Sequence, residues 1–163
     1  MLTRPILDYN MYKKGHGMAL AQPARPSGRY DISPLVDLSD KANRARLTPP
    51  ALKAFFNILG RWGVGEEDGQ QLLGGVSRAK FYALKKNPAG VLDQDKLQRV
   101  SLLVGIFKAL NILHSERLAD AWVRLPNRNR IFAGQTPLRF MVKGGLPGML
   151  VVRRLLDARR GGV

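Results

Sequence analysis

The chain has 163 residues, of which 45% are apolar and none is cysteine. This length and apolar content predict one compact domain with a core, plus a tail. The absence of cysteine excludes disulfides, thiolate metal sites and a cysteine nucleophile. A net charge of +15 indicates a nucleic acid, a nucleotide-handling partner or another anionic surface as partner, and a basic surface with no such partner is the alternative.

The amino-terminal part, residues 1–46, is expected to be a largely irregular basic arm or linker, because prolines such as Pro23, Pro26 and Pro34 interrupt it. Its basic side chains suit a DNA groove, but an arm without function is the favoured interpretation. Met1 to Asn10 does not resemble a signal peptide, and no apolar run approaches the ~20 residues that span a bilayer. We therefore expect a cytoplasmic protein that does not contact membranes.

The first predicted helix begins at Thr48, because a threonine followed by Pro49 and Pro50 is typical of a capped helix start. Apolar residues then recur at three- and four-residue steps from Ala51 to Trp62, which is the pattern of an amphipathic helix. Asp40 to Arg46 is a weaker candidate for an earlier helical start. The predicted helix is expected to pack beneath the helices that follow.

Two short helical patterns flank Gly74-Gly75-Val76 between Gly65 and Lys86, and this arrangement predicts a helix-turn-helix. Glu66-Glu67-Asp68 places acids in the first turn of the first helix, where the helix dipole favours them. The second helix, Ser77 to Lys86, is basic, as a helix that enters the major groove must be. The alternative is an ordinary pair of surface helices with a solvated basic face.

The helical period predicts that Val76, Phe81 and Leu84 face inward. The predicted DNA-binding side chains are Ser77, Arg78, Lys80, Tyr82, Lys85 and Lys86, of which Lys80 is near the boundary of the two faces. Arg78 is the candidate for reading a guanine edge, with Ser77, Lys80 and Tyr82 beside it and with Lys85 and Lys86 on phosphates. Residues 47–92 are thus predicted to form the DNA-binding region.

A long helix is predicted from Asp93, its N-cap, to about Leu113, after the break at Asn87-Pro88-Ala89-Gly90. Its apolar residues surround most of the helix, so several neighbours must cover it. We expect both helices of the same chain and a second copy to do so, because operator-binding helix-turn-helix proteins usually dimerise.

Three shorter helices are predicted after Leu113. One begins after Ser115 and reaches about Leu125, one begins at Thr136-Pro137 and ends near Gly144-Gly145, and the last spans about Pro147 to Arg159. Neither β alternation nor an internal repeat is visible. The expected fold is all-α, a helix-turn-helix domain followed by a small helical bundle over residues 93–163.

Groups that could support catalysis are scarce. His16 is in a glycine-rich stretch and His114 is at a helix end, and neither has a metal-ligand neighbour at helical spacing. Glu116 and Asp120 share a helix face, where nearby Arg117 and Arg124 indicate a solvated ion-pair surface. The glycines at Gly60, Gly63 and Gly65 lack the lysine and hydroxyl of a phosphate loop. We expect no enzymatic activity, no metal site and no cofactor.

Several short motifs in the second half of the chain resemble those of one known family. They are Pro126-Asn127-Arg128, Gly134, Thr136-Pro137-Leu138, Leu156-Asp157 and Arg160-Gly161-Gly162, together with Leu47-Thr48-Pro49-Pro50-Ala51-Leu52, Leu73-Gly74-Gly75-Val76 and Arg99-Val100-Ser101-Leu102-Leu103 upstream. In these motifs the chain resembles the MbcA/ParS/Xre antitoxins, over about Ala45 to Val163. The family phrase often finishes with an aromatic residue, whereas this chain finishes with Val163.

The resemblance implies an antitoxin of a type II toxin–antitoxin module with two roles. One is repression of its own promoter by an antitoxin dimer, and the other is inhibition of a RES-domain toxin that consumes nicotinamide adenine dinucleotide (NAD). The resemblance places toxin-binding residues at the carboxyl-terminal end, namely Arg159, Arg160, Gly161, Gly162 and Val163. Arg153 and Arg154, earlier on the same predicted helix, are also predicted to bind the toxin.

The chemistry of this end suits a plug of the toxin's active site. Arginines can bind carboxylates bidentately, and Gly161-Gly162 lets the backbone enter a narrow cleft. The alternatives are a frayed basic terminus, a stand-alone transcription regulator whose carboxyl-terminal domain binds an effector or a protein, and a general nucleic-acid binder.

Overall fold

The structure is a computed structural model that describes residues 36–161. Within this range the chain forms α-helices and no strand, which confirms the all-α prediction. The helices are α1 (Lys41–Trp62), α2 (Glu66–Leu72), α3 (Arg78–Lys86), α4 (Gln94–Leu113), α5 (Glu116–Trp122) and α6 (Pro137–Arg160). None of these helices is long and apolar enough to cross a bilayer. Residues 1–35 of the predicted arm, His16 among them, lie outside the described residues, as do Gly162 and Val163.

The predicted start of the first helix at Thr48 is wrong, because α1 already begins at Lys41. Asp40 is the N-cap and accepts a hydrogen bond of 2.9 Å from the backbone N–H of Ala42. Thr48 lies fully buried inside α1, where its hydroxyl donates to the carbonyl of Arg44 at 2.7 Å and accepts from the N–H of Leu92 at 3.0 Å. Threonine followed by prolines is typical of a helix start, but here α1 continues through the same residues, and the Thr48 hydroxyl finds both of its partners within the fold.

Helix α4 is the centre of the fold and packs against α1, α5 and α6. Asp93 caps it as predicted, accepting from the N–H of Lys96 at 2.9 Å. The chain itself covers its buried residues, Leu97, Val100, Leu103, Gly105, Ile106, Ala109 and Leu110. Ile112, near the end of the helix, is 64% exposed. Neighbouring helices therefore supply the covering that the apolar pattern predicts for most of α4.

Helix α6 is bent at Gly145, whose φ of 57° and ψ of −143° are not helical. The prediction had one helix ending here and another starting at Pro147, and the bend confirms the break. Beyond it the chain folds back, since a Cβ at Gly148 would lie 3.0 Å from the carbonyl oxygen of Phe140. The second half of α6 then places Val152 and Leu156 in the core.

Candidate functional site

Helices α2 and α3 form the predicted helix-turn-helix. Gly74 and Gly75 occupy the corner with φ of 97° and 74°, a left-handed conformation that favours glycine. Their N–H groups donate to the carbonyls of Gln71 and Gln70 at 3.0 and 2.9 Å and so close the end of α2. Ser77 then caps α3 by accepting from the N–H of Lys80 at 3.3 Å. The two glycines therefore allow the chain to turn sharply between α2 and α3.

The inner face of α3 is held by α1 and α2. Phe81 and Leu84 are 2% and 4% exposed, as predicted, whereas Val76 is only partly buried. The ring of Phe81 meets that of Phe56 edge-on, with centroids 5.2 Å apart. Gly69 of α2 lets the helices approach, because a Cβ there would lie only 2.9 Å from Phe81 Cζ. This packing fixes the orientation of α3.

The outer face of α3 carries all the side chains predicted to bind DNA, and each of them is exposed. They are Ser77, Arg78, Lys80, Tyr82, Lys85 and Lys86. Lys80 lies in solvent and not at a boundary with the core. The face is thus accessible to a duplex, with hydroxyl, guanidinium and ammonium donors along it.

Glu66, an acid predicted to interact only with the helix dipole, also lies on this face. Its carboxylate accepts a hydrogen bond from the Tyr82 hydroxyl and lies 3.9 Å from Nη2 of Arg78. The Arg78 guanidinium carbon in turn lies 5.7 Å from the centroid of the Tyr82 ring. The three side chains form one cluster on the face of α3, here called the Glu66 cluster.

Lys53 is a further basic residue that sequence reasoning missed. It is exposed on α1 and lines, with Lys85 of α3, a depression of about 420 Å³. The rest of the lining is apolar and consists of Pro49, Pro50, Phe56, Leu84 and Pro88. No sequence signal distinguishes Lys53 from other surface lysines, because only the packing of α1 against α3 brings it to this side.

The predicted toxin-binding arginines differ in their surroundings. Arg154, Arg159 and Arg160 are exposed, and Arg160 lies 3.5 Å from the Asp157 carboxylate. Arg153 is instead held by Asp157, with Nε 2.7 Å from Oδ2, and its guanidinium lies against Gly105 of α4. Arg153 therefore connects α6 to α4 within the chain.

The ion pairs expected on α5 have a different partner. Glu116 and Asp120 do share a face, but both bind Arg61 of α1, at 2.7 and 2.8 Å, and not the predicted Arg117 and Arg124. The hydrogen bond with Asp120 is the main cause of a raised pKa of Arg61. The prediction was wrong because helical spacing reveals only partners on the same helix, whereas α5 packs against α1.

His114, another group that could support catalysis, caps a helix. His114 is the C-cap of α4, as expected of a residue at a helix end, and its backbone N–H donates to the carbonyl of Leu110. Between residues 36 and 161, no three His, Asp or Glu residues are grouped as a metal ion would require.

Arg99 links the helix-turn-helix to the bend in α6. Its Nε lies 2.7 Å from Oδ2 of Asp95 and would be 3.3 Å from a Cβ at Gly74. Its Nη1 would be 3.8 Å from a Cβ at Gly145. Helices α2 and α6 also contact each other directly. The two halves of the described chain are thus packed as neighbours around α4.

Comparison with known proteins divides the chain at the same helix. Residues 41–105 match the antitoxin Xre-like helix-turn-helix domain, and residues 108–162 match the antitoxin Xre/MbcA/ParS C-terminal toxin-binding domain. The chain is also similar to the uncharacterized protein y4oB of Sinorhizobium fredii (strain NBRC 101917 / NGR234). The two are 39% identical over 130 residues, which cover 79% of this chain and 98% of that protein. Both domains of an antitoxin are thus matched, one after the other along the chain. The protein therefore belongs to the Xre/MbcA/ParS family of antitoxins from toxin–antitoxin modules.

Proposed function

We propose that this antitoxin inhibits a RES-domain toxin that consumes NAD, that it represses its own promoter through α3, and that it has no enzymatic activity of its own. The observation that carries the proposal is the presence of two exposed basic surfaces on one helical body. One is the outer face of α3, and the other is the end of α6, and each belongs to a part of the chain that matches the corresponding antitoxin domain.

For DNA, the packing of Phe81 and Leu84 leaves the polar face of α3 free to enter a major groove. Arg78 is proposed to bind a guanine edge, with Ser77, Lys80 and Tyr82 beside it. Lys85 and Lys86 are proposed to bind phosphates, and Lys53 extends this contact onto α1. A homodimer would present two such helices to successive turns of the duplex, which predicts an operator with two-fold symmetry.

For the toxin, α6 supplies a firmly held helix that ends in exposed cations. Val152 and Leu156 are fully buried, and Arg153 bridges to α4, so the last turn is attached to the core. Arg154, Arg159 and Arg160 are exposed around that turn. Guanidinium groups bind carboxylates bidentately, so this end suits an acidic rim around the entrance of an enzyme's active site. Residues Gly161 to Val163 are proposed to enter it.

The experiment is co-expression with the RES-type gene that this proposal places beside the antitoxin gene. The full chain should restore growth of toxin-expressing cells and co-purify with the toxin. A chain ending at Ala158 should neutralise poorly, yet bind the promoter DNA nearly as well as the full chain, because Leu156 and the core contacts remain. Full rescue by the shortened chain would contradict the proposed plug.

The second candidate function is a stand-alone transcription regulator with an effector-binding or protein-binding domain. The exposed basic face of α3 supports a stand-alone regulator equally well, because both functions require DNA binding. It predicts selective promoter binding but neither co-purification with a RES protein nor protection of cells. A general nucleic-acid binder would instead bind all duplexes alike, with a steep dependence on salt.

A further inference from the structure

We propose that Glu66 is a positioning residue that orients Arg78 through the Glu66 cluster and so sets how sharply the antitoxin distinguishes its operator from other DNA. This inference rests on the proposed reading of DNA by α3. Glu66 is the first residue of α2, whereas Arg78 and Tyr82 are one turn apart on α3. The cluster therefore crosses the corner of the helix-turn-helix.

The three side chains of the Glu66 cluster contact one another. Oε1 of Glu66 accepts from the Tyr82 hydroxyl, while Oε2 is the atom near Nη2 of Arg78, so the two carboxylate oxygens serve different partners. The Arg78 guanidinium also lies over the Tyr82 ring, where a cation is attracted to the π face. Each side chain of the three thus contacts the other two.

The helix dipole alone does not account for these contacts. Glu67 shares the first turn of α2 and is exposed, and it has the same favourable position relative to the dipole. Among residues 36–161, however, Glu67 makes no salt bridge with α3, whereas Glu66 contacts two of its residues. Contact with the recognition helix is therefore particular to Glu66, and Glu67 provides a charge-matched control.

An acid beside a DNA-binding face weakens binding to every duplex, because it repels phosphates. Its compensating effect is orientation. Arg78 is 76% exposed on a long side chain, and a guanidinium held in advance loses less rotamer freedom when it binds a base. The guanidinium has five N–H donors, so the contact of Nη2 with Glu66 leaves donors for the two acceptors of guanine.

The test measures the ratio of affinities for the promoter duplex and for a scrambled duplex of equal length. Glu66→Gln should strengthen binding to the scrambled duplex and weaken binding to the promoter, reducing the ratio by about five-fold, the upper range for an exposed ion pair. Glu67→Gln should strengthen both and leave the ratio unchanged. An equal response of the two variants would overturn the positioning role.

A double-mutant cycle shows whether the effect passes through Arg78. In an Arg78→Ala background, Glu66→Gln should no longer change the ratio, and an undiminished change there would overturn the inference. Tyr82→Phe keeps the ring under Arg78 but removes the hydroxyl, and should reduce the ratio by less than Glu66→Gln does. It serves as the second variant if Glu66→Gln fails to fold, and an unchanged ratio with Tyr82→Phe then counts against the cluster.

Failure of the inference and failure of the proposed function give different results. A wild-type chain that binds promoter and scrambled duplexes equally contradicts the proposed DNA reading itself. A selective wild-type chain whose ratio is the same in Glu66→Gln and Glu67→Gln contradicts only the role of Glu66.

Discussion

The guanidinium of Arg153 lies directly on Gly105, so close that a Cβ at residue 105 would stand 1.6 Å from Nη1. Gly105 is buried in the middle of α4, where glycine is normally unfavourable to a helix. Its function is to leave room for an arginine from α6, which Asp157 also holds. This relationship assigns Arg153 to the joining of two helices and leaves Arg154, Arg159 and Arg160 as the exposed cations of the proposed toxin-binding end.

A double-mutant cycle tests this relationship. With Arg153→Ala in place, Gly105→Ala should raise the free energy of unfolding by about 1 kcal/mol, because alanine is the better helix former. In the wild-type background the same change should not raise the free energy of unfolding, because the new methyl group displaces the Arg153 guanidinium from α4 and from Asp157. Urea denaturation of the four proteins measures both values. Equal gains in the two backgrounds would show that Arg153 does not occupy this position.

Gly69 is predicted to be essential to the helix-turn-helix. A Cβ there would lie 2.9 Å from both Leu59 Cδ1 and Phe81 Cζ, which are packed in the core. Gly69→Ala should therefore cost about 1–3 kcal/mol of stability and weaken promoter binding by displacing α3. Gly60→Ala is the control, since a Cβ at Gly60 meets nothing within 4 Å and should stabilise α1 by up to about 1 kcal/mol. Similar effects of both changes in thermal denaturation would be inconsistent with this packing.

Arg78 and Lys53 should affect DNA binding in different ways. Arg78→Ala is expected to cost about 1–3 kcal/mol on the promoter and much less on a scrambled duplex, because it removes a contact to a base. Lys53→Ala should weaken binding to both duplexes alike and lower the slope of log K against log salt by about 1, because it removes a phosphate contact. Fluorescence anisotropy titrations at several salt concentrations separate the two. The assignment of Arg78 fails if its loss leaves selectivity intact.

Asp93 should make stability depend on acid pH. Burial raises the pKa of its carboxyl, but hydrogen bonds from the side chain and backbone of Lys96 outweigh that effect and hold the pKa below the ordinary value of 3.8. A depressed pKa in the folded state contributes stability above 3.8, which is lost as pH falls through the folded pKa. An asparagine side chain would still cap α4, so the loss of stability caused by Asp93→Asn should be largest at about pH 7 and should shrink as the pH falls below 3.8. A stability difference that stays constant as the pH is lowered, in urea denaturation, would exclude this linkage.

The sequence was sufficient where each helix carries its own signals. Ser77, Asp93 and Thr136 each cap a helix that begins at the predicted place, and Gly74 and Gly75 form the predicted corner. These features depend on residues within one turn of each other, so local pattern defines them. The start of α1 was mispredicted because threonine followed by prolines is typical of a helix start, whereas α1 begins at Lys41 and continues through these residues.

Relationships between helices could not be read in this way. Three contacts depend on how the helices cross, and a periodic sequence pattern carries no information about that geometry. They are the contacts of Glu66 with α3, of Arg61 with Asp120, and of Arg153 with Gly105. From the sequence, Glu66 had a sufficient explanation as a dipole partner and Asp120 as a solvated charge, while Arg153 was predicted to bind the toxin. Packing decides which of the surface charges form specific contacts and which, such as Arg159, stay exposed to solvent.

The most direct test of the proposed function is a titration of the purified antitoxin into the purified RES-domain toxin while NAD consumption is followed. We expect the activity to fall to zero at a fixed molar ratio, and a chain ending at Ala158 to require a large excess for the same inhibition. NAD consumption that continues unchanged with a saturating amount of the full chain would show that the antitoxin does not inhibit this toxin.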